Sequence, residues 1–314
     1  MKKKKFLVNF IFLTSFITLL NSIIFKLGSK KYNAKDSPDK IYLWKLGKIA
    51  YKVRGEGPPL LLIHGIGNGT SSYEWRKNIP YLSKHFKVYS IDLLGFGYSS
   101  RPKLTYTAFL YVQLIQDFIK NVIKEPTFVI ANSQSASFAV IAANFSPNLF
   151  KKLILISPTG IKEQIDSPTF KSKIIKLFIE TPIIGTTFYN LISSKLYIYY
   201  FIKTKLYNSS FSIAPSLVDN YYLASKAGGA SSRYLLASFL GGYMNINITN
   251  FLNKISCPIC TIWGKENPLV SKDLLNEWTK INPSITSYIF RKSKTMPHEE
   301  EPFYFNEVCK NFFN

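Results

Sequence analysis

The stretch Thr127-Phe128-Val129-Ile130-Ala131-Asn132-Ser133-Gln134-Ser135 decides how this chain is read. A short apolar run ends in five small or polar residues, with Ser133 at their centre. A serine that a sheet presents as a nucleophile sits on a tight strand-to-helix turn. Its Oγ is lifted above the strand ends, and residues of little bulk stand two before and two after it. Ala131 and Ser135 hold those two places and are small enough for the turn. Taken alone, the same five residues also describe an ordinary strand end, so the neighbouring sequence has to decide.

Upstream, Pro58-Pro59-Leu60-Leu61-Leu62-Ile63-His64-Gly65 is a continuous apolar run closed by His-Gly, followed by the turn Ile66-Gly67-Asn68-Gly69. Strands buried on both faces read in this way. A second run, Lys87-Val88-Tyr89-Ser90-Ile91-Asp92, leads into Leu93-Leu94-Gly95-Phe96-Gly97-Tyr98-Ser99-Ser100-Arg101-Pro102. The order of strand, His-Gly turn, strand, Asp-x-x-Gly-x-Gly-x-Ser, helix, strand and serine turn resembles the α/β-hydrolase family. The resemblance runs over residues 41–314. It implies an α/β fold, a mostly parallel sheet with helices on both faces and a helical cap inserted. It also makes the Ser133 turn the nucleophile elbow of a serine-hydrolase, esterase-like branch.

The spacing of apolar residues fills in the map. Residues 41–53 alternate as strands around Gly47 and suit an antiparallel hairpin at the sheet edge. Residues 106–123 read as a helix with Phe109, Val112, Ile115, Phe118 and Ile119 on one face. Residues 133–144 form the helix after the elbow, rich in alanine so that it can lie close to the sheet. Strands are expected at 153–157, 260–263 and 286–290, and helices at 274–281 and 301–313. Such alternation implies a mostly parallel sheet covered on both faces.

Between residues 157 and 260 the alternation stops. Phe170, Ile174, Leu177 and Phe178 have helical spacing, and residues 182–192, 216–226 and 232–243 also suit helices. The chain therefore divides into residues 1–35, an N-terminal anchor and linker; residues 36–160 and 251–314, the hydrolase core; and residues 161–250, the cap. The cap contains fifteen Phe or Tyr residues, enough for its own core and for an apolar binding cavity beneath it.

Acyl transfer by serine needs a base in hydrogen-bond reach, a third group to orient the base, and two N–H donors for the oxyanion. The resemblance places the donors at the backbone of Ile66 and Gln134. The base is the difficulty, because the chain has three histidines. His64 belongs to the His-Gly turn and reads as a structural residue. His85 precedes a strand on an exposed segment. The family's C-terminal pattern, Gly-His-x-x-x-x-Glu-x-Pro, aligns on Glu300 and Pro302 and puts Thr295 at the base position, with Lys294 at the glycine. His298 falls three residues late and stands as a displaced candidate base. The acid position of Gly264-Lys265-Glu266-Asn267 holds Asn267, with Glu266 one residue away as a candidate acid; the alternative acid position, after the preceding strand, holds Ser157. Thr295 and Asn267 are thus vacant triad positions in this frame.

The N-terminus carries a second signal. Met1-Lys2-Lys3-Lys4-Lys5 precedes twenty uncharged residues, 6–25, and then Lys26. A helix of that length spans about 30 Å, the thickness of a bilayer's hydrocarbon core. Small residues are not paired at a cleavage site, since Leu20/Ser22 and Lys26/Gly28 both fail. An uncleaved single-pass membrane anchor is expected, with lysines on both sides leaving the side of the globular domain open. The formal charge is +22, with eight lysines in residues 1–35, and favours an anionic membrane surface. No nucleic-acid motif accompanies it. Cys257 and Cys260 enter a strand, where positions i and i+3 lie about 10 Å apart on opposite faces, too far for a disulfide. With Cys309 they read as buried thiols. No metal-ligand cluster and no cofactor motif is present in the sequence.

Three readings follow. One is a membrane-anchored serine hydrolase acting through Ser133 on an apolar ester or amide, or a lipid-like ligand. The second is a degenerate relative that keeps the pocket as a binding or interaction module. The third is non-hydrolytic chemistry on the same scaffold.

Overall fold

A computed structural model describes residues 2–35, 38–208, 213–271 and 274–314, with the backbone alone at residues 33–35. Its centre is one sheet of eight strands: β1 (Lys40–Trp44), β2 (Gly47–Arg54), β3 (Pro59–Ile63), β4 (Lys87–Ile91), β5 (Thr127–Asn132), β6 (Phe150–Ile156), β7 (Ile259–Gly264) and β8 (Thr286–Phe290). Their spatial order is β1-β2-β4-β3-β5-β6-β7-β8. The pairs β1–β2 and β2–β4 are antiparallel, and every later pairing is parallel. β3, β5 and β7 are buried at every residue, which is why they read as unbroken apolar runs. This is the α/β fold expected.

The turn after β4 shows why its glycines and serine recur in that pattern. Asp92 accepts the backbone N–H groups of Ser72 (2.7 Å) and Tyr98 (2.9 Å). Gly97 sits at φ +46°, and a Cβ there would lie 2.1 Å from the Asp92 carboxylate. Ser99 Oγ donates to the Asp92 carbonyl at 2.5 Å and accepts the Ala50 N–H at 2.9 Å, binding the turn to β2.

The first helix, α1 (Lys2–Lys35), is followed by the short α2 (Ile79–Leu82), α3 (Ala108–Phe118) and α4 (Gln134–Phe145). α3 buries Ala108, Tyr111, Val112, Leu114, Ile115 and Phe118. The stripe is rotated from the expected one: Phe109 is 53% exposed, and Tyr111 and Leu114 take the inner face. α4 is buried over ten of its residues, which its small side chains permit.

The cap consists of α5 (Phe170–Glu180), α6 (Ile184–Ile192), α7 (Lys195–Phe201), α8 (Pro215–Lys226) and α9 (Ser232–Leu240). α7, continued by a wider turn at Ile202–Leu206, had no counterpart in the sequence reading. Nor does α5 use its apolar stripe as core: Phe170, Ile174, Leu177 and Phe178 are 44–78% exposed. The chain returns through α10 (Thr249–Lys254), α11 (Leu274–Ile281), α12 (Pro297–Glu300) and α13 (Pro302–Phe313).

α1 is the one helix among the described residues long and apolar enough to cross a membrane. It does not end in a linker near residue 25 but continues to Lys35. Its latter part docks on the cap. Asn21 Nδ2 donates to Thr187 Oγ1 (3.0 Å) and its Oδ1 accepts from Asn190 Nδ2 (2.8 Å). Phe25 stacks on Tyr189, and Tyr32 stacks on Tyr98 at 4.2 Å between centroids. Gly28 allows this approach, since a Cβ there would lie 2.5 Å from Lys226 Cβ.

Candidate active site

Ser133 lies between β5 and α4 with φ +53° and ψ −129°, a conformation that L-residues adopt only when their surroundings hold them there. Its N–H donates to the Ile156 carbonyl at 2.8 Å, and its carbonyl accepts the Ala136 N–H at 3.0 Å. The small flanks are both fully buried, and Ser135 Oγ donates to the His64 carbonyl at 2.7 Å. A hydroxyl two residues after Ser133 thus fixes the elbow to the His-Gly turn.

That turn is built from below by His64 and Glu74. Leu93 N–H donates to His64 Nε2 (3.1 Å), which leaves Nδ1 to donate to the Gly65 carbonyl (2.8 Å). Glu74 is buried, and its carboxylate accepts the Gly65 N–H (3.1 Å) and Asn132 Nδ2 (2.8 Å). One carboxylate therefore ties the His-Gly turn to the residue before Ser133. Sequence reasoning missed it; the available signal was a lone acid in an otherwise neutral loop after the His-Gly turn. Among the described residues the N–H groups of Ile66 and Gln134 have no acceptor within the chain. Gln134 N–H opens α4, where first-turn donors are free to meet an anion. The Gln134 side chain donates to the Met244 carbonyl at 3.0 Å, which ties the elbow to the segment that follows α9.

The structure brings Thr295 and Asn267 together. Thr295 Oγ1 faces the Lys205 carbonyl at 2.7 Å and Asn267 Oδ1 at 3.0 Å. Asn267 Oδ1 also accepts the N–H groups of Leu269 (2.9 Å) and Val270 (3.1 Å), which sets the amide's orientation and leaves its buried Nδ2 without a partner. Ser157, at φ +44°, donates to the Thr295 carbonyl at 3.2 Å. Glu300 accepts the N–H of Lys294 (2.7 Å) and Asn208 (2.5 Å), and Glu301 accepts from Ser293 Oγ (2.6 Å), closing the loop that carries Thr295. Burial pushes the Glu300 carboxyl up to about 7 against these donors. Gly264 lets that loop approach β7, since a Cβ there would lie 1.7 Å from the Lys294 carbonyl.

His298 is not brought to Ser133. It is fully buried on α12, its ring 4.7 Å from Trp75 and 5.7 Å from Phe305, and no hydrogen bond joins it to the serine. Its Nε2 lies 3.2 Å from Glu74 Oε1 but off the hydrogen-bonding direction, so neither ring nitrogen has a directed partner. Glu266 is exposed, with its backbone N–H bonded to Ser293, and lies outside the cavity around Ser133. His85 is half-buried against Tyr81. Cys260 and Cys309 are buried thiols and Cys257 is half-buried; burial raises the thiol of Cys257 to about 11 and that of Cys260 to about 12.

Above Ser133 lies a cavity of about 370 Å³, within the range of small-molecule sites. Its apolar wall comes from the cap, including Ile192, Ile198, Ile202, Leu206, Leu236 and Phe239. Its polar floor holds Ser133, Asn132, Glu74, Thr159 and Thr295, with Glu163 at one side. Glu163 Oε2 is buried without a partner.

A family profile described as the alpha/beta hydrolase fold matches residues 58–180. A 2-hydroxy-6-oxo-6-(2'-aminophenyl)hexa-2,4-dienoic acid hydrolase of Metapseudomonas resinovorans is 32% identical over 117 residues, which is 37% of this chain and 40% of that protein. The chain therefore matches only about two fifths of that relative's length. A solved serine hydrolase involved in carbazole degradation superposes with a TM-score of 0.74 at 20% identity, covering 87% of this chain and 97% of the other. A membrane phospholipase A described as a bacterial virulence factor gives a TM-score of 0.71 at 18% identity, covering 99% and 98%. With the eight-stranded sheet, the strained serine and these matches taken together, the chain has the α/β-hydrolase fold, and residues 58–180 carry that family's profile.

Proposed function

We propose that this chain is a membrane-anchored member of that family that binds an apolar ester, amide or lipid-like ligand over Ser133, without an efficient general base. The carrying observation is the Thr295–Asn267 contact at 3.0 Å, in the frame where the family's pattern puts base and acid. Threonine cannot take up a proton near neutral pH; His64 is bonded within the His-Gly turn, His85 lies against Tyr81, and His298 packs on Trp75 with no hydrogen bond to Ser133. A serine without its base is an ordinary alcohol, and such a loss lowers turnover by about 10⁶. The ligand's carbonyl would meet the N–H groups of Ile66 and Gln134, and its apolar part the cap wall. The relatives named above are hydrolases, and the strained Ser133 supports a second reading, slow acyl transfer to its Oγ.

Two assays on the full chain in detergent separate the readings. Binding of a fluorescent long-chain fatty acid ester should persist in Ser133→Ala, and a fluorophosphonate probe should label the parent slowly. Rapid labelling, with ester turnover that is lost in both Ser133→Ala and His298→Ala, would refute the binding reading and establish His298 as a working base.

A further inference from the structure

The cap has an apolar surface that its own fold does not explain. In α7, Ile198 is buried and lines the cavity, whereas Leu196 is 80% exposed and Tyr200 63% exposed on the other side. A helix that is apolar all round belongs inside a protein or in contact with a membrane. In α6, Ile184 (63% exposed) and Leu191 (65% exposed) share one face with Thr187, which holds Asn21 of α1. The exposed edge of the cap is therefore continuous with the apolar surface of α1, where Leu19, Ile23 and Leu27 are 44–58% exposed. Together with the exposed stripe of α5, it forms a run of large exposed apolar side chains of the kind that marks a protein or membrane contact.

Length makes the connection quantitative. If α1 crosses a bilayer, its uncharged part begins at Phe6, and its docking on the cap begins at Asn21. The free portion, residues 6–20, is about 22 Å long at ~1.5 Å per residue. A hydrocarbon core is about 30 Å thick. The missing ~8 Å corresponds to the turns of α1 that lie against α6 and α8. That is also the depth, about 5–10 Å, at which interfacial helices rest.

We infer that the outer face of α5, α6 and α7 is seated in the membrane interface, so that the cavity opens toward the acyl chains and takes its ligand, a long-chain amphiphile, from the bilayer. The inference rests on the anchor reading above. The mouth agrees with it: Tyr197 and Phe201 line the cavity and are 48% and 37% exposed, adjacent in sequence to Leu196 and Tyr200. Exposed Lys171, Lys173 and Lys203 stand around this face. They are placed to meet anionic headgroups while their stems lie along apolar surface.

The test uses the full chain in phosphatidylcholine–phosphatidylglycerol vesicles, with a Cys257→Ser background and an environment-sensitive fluorophore on single cysteines. Phe12→Cys reports on the anchor, Leu191→Cys and Leu196→Cys on the cap face, and Leu43→Cys, 75% exposed on β1, on the far sheet edge. Lipids brominated in the upper acyl chain should quench the Phe12, Leu191 and Leu196 labels at least twofold and leave Leu43 unchanged. Quenching at Phe12 alone overturns the seating of the cap and leaves the anchor standing. No quenching at Phe12 means that the anchor reading itself has failed. Leu191 and Leu196 labels that are shielded from water yet unquenched place a second copy of the chain on this face and also overturn the inference. Independently of labelling, Leu196→Glu with Tyr200→Glu should slow uptake of a pyrene-labelled fatty acid ester from vesicles at least tenfold. The same variant should bind a short soluble ester in detergent as the parent does. Equal uptake from vesicles would refute access from the bilayer.

Discussion

Thr295→His with Asn267→Asp should convert the site into a hydrolase, and the structure indicates how far. The acid half is almost preformed. Asn267 Oδ1 already accepts the Leu269 and Val270 N–H groups at 2.9 and 3.1 Å, and Nδ2, the atom that an aspartate would replace with a second acceptor, has no partner. An Asp carboxylate would therefore be ionised by two donors and present its free oxygen to an imidazole N–H. The base half is more costly. Removing the threonine hydroxyl removes its hydrogen bond to the Lys205 carbonyl, worth about 1 kcal/mol. An imidazole also has to fit beside Leu206, whose carbonyl accepts the Thr295 N–H at 3.2 Å. Lys294→Gly should ease the loop where it crosses Gly264. Hydrolysis of a short p-nitrophenyl ester should rise by at least 10³ in the double or triple variant, a sizeable part of the ~10⁶ that a missing base costs. Its rate should climb with pH through about 6.5 as the new histidine loses its proton. Each single substitution should gain less than about tenfold, because triad members act as a unit. A parent already as fast as the variant would refute the reasoning, since another base would then be at work. A folded double variant that neither turns over nor reacts with a fluorophosphonate would show that the elbow does not present Ser133.

Three further perturbations follow from the same geometry. Burial pushes the Lys226 ammonium down to about 7, although Asn190 Oδ1 (2.9 Å) and Ser193 Oγ (2.6 Å) receive it. Between pH 7 and about 10.5 the unfolded chain holds this proton and the folded chain does not, so the lysine's penalty is full below pH 7 and fades as pH rises. Lys226→Met should therefore raise Tm at pH 6 and progressively less toward pH 10; an equal gain at both, in thermal melts, would refute this. Glu74→Gln should lower stability by about 1–3 kcal/mol, because its amide would face either Gly65 N–H or Asn132 Nδ2 donor to donor, and denaturant titration would show it. Deleting residues 1–16 should leave the melt of the globular part unchanged, whereas deleting residues 1–32 should lower Tm clearly. The longer deletion removes Phe25 and Tyr32, each worth about 1.5–3 kcal/mol of burial. Equal melts for the two would mean that α1 does not pack on the cap.

The core was legible because its physics is local. Strands buried on both faces leave runs such as residues 59–63 and 127–131, and the glycines between them mark turns that only small residues can make. The stretches at 274–281 and 286–290 coincide with α11 and β8 to the residue. The cap was harder. α7 has apolar side chains on both faces, so it carries no periodic signal. The stripe of α5 was visible, but its direction was not: a sequence shows which residues share a face and not what that face meets. The same limit hid the end of α1. Asn21, Phe25, Gly28 and Tyr32 lie at helical spacing within an apolar helix, yet only the docked structure distinguishes that line from the exposed ones.

The site was legible as a frame and not as a set of contacts. Counting back from Pro302 puts Thr295 at the base position of the family's pattern without any knowledge of its neighbours. The neighbours are what give the substitution its consequence. Thr295 binds the backbone of the cap twice, through its N–H to Leu206 and its hydroxyl to Lys205, and its carbonyl receives Ser157. A position that in the family's pattern carries a mobile proton thus serves here as a fastening between cap and sheet. That exchange bears on Ser133 directly. The elbow's strain at φ +53° is present although no histidine is hydrogen-bonded to the serine. Strain of this kind costs about 1–3 kcal/mol and persists only where the surroundings enforce it. Here Ile156, Ala136 and Ser135 enforce it through the sheet and the His-Gly turn. The turn is therefore kept by the packing of the hydrolase core, whether or not the serine reacts. An intact elbow alone is weak evidence of turnover, and the deciding question is what stands at residue 295.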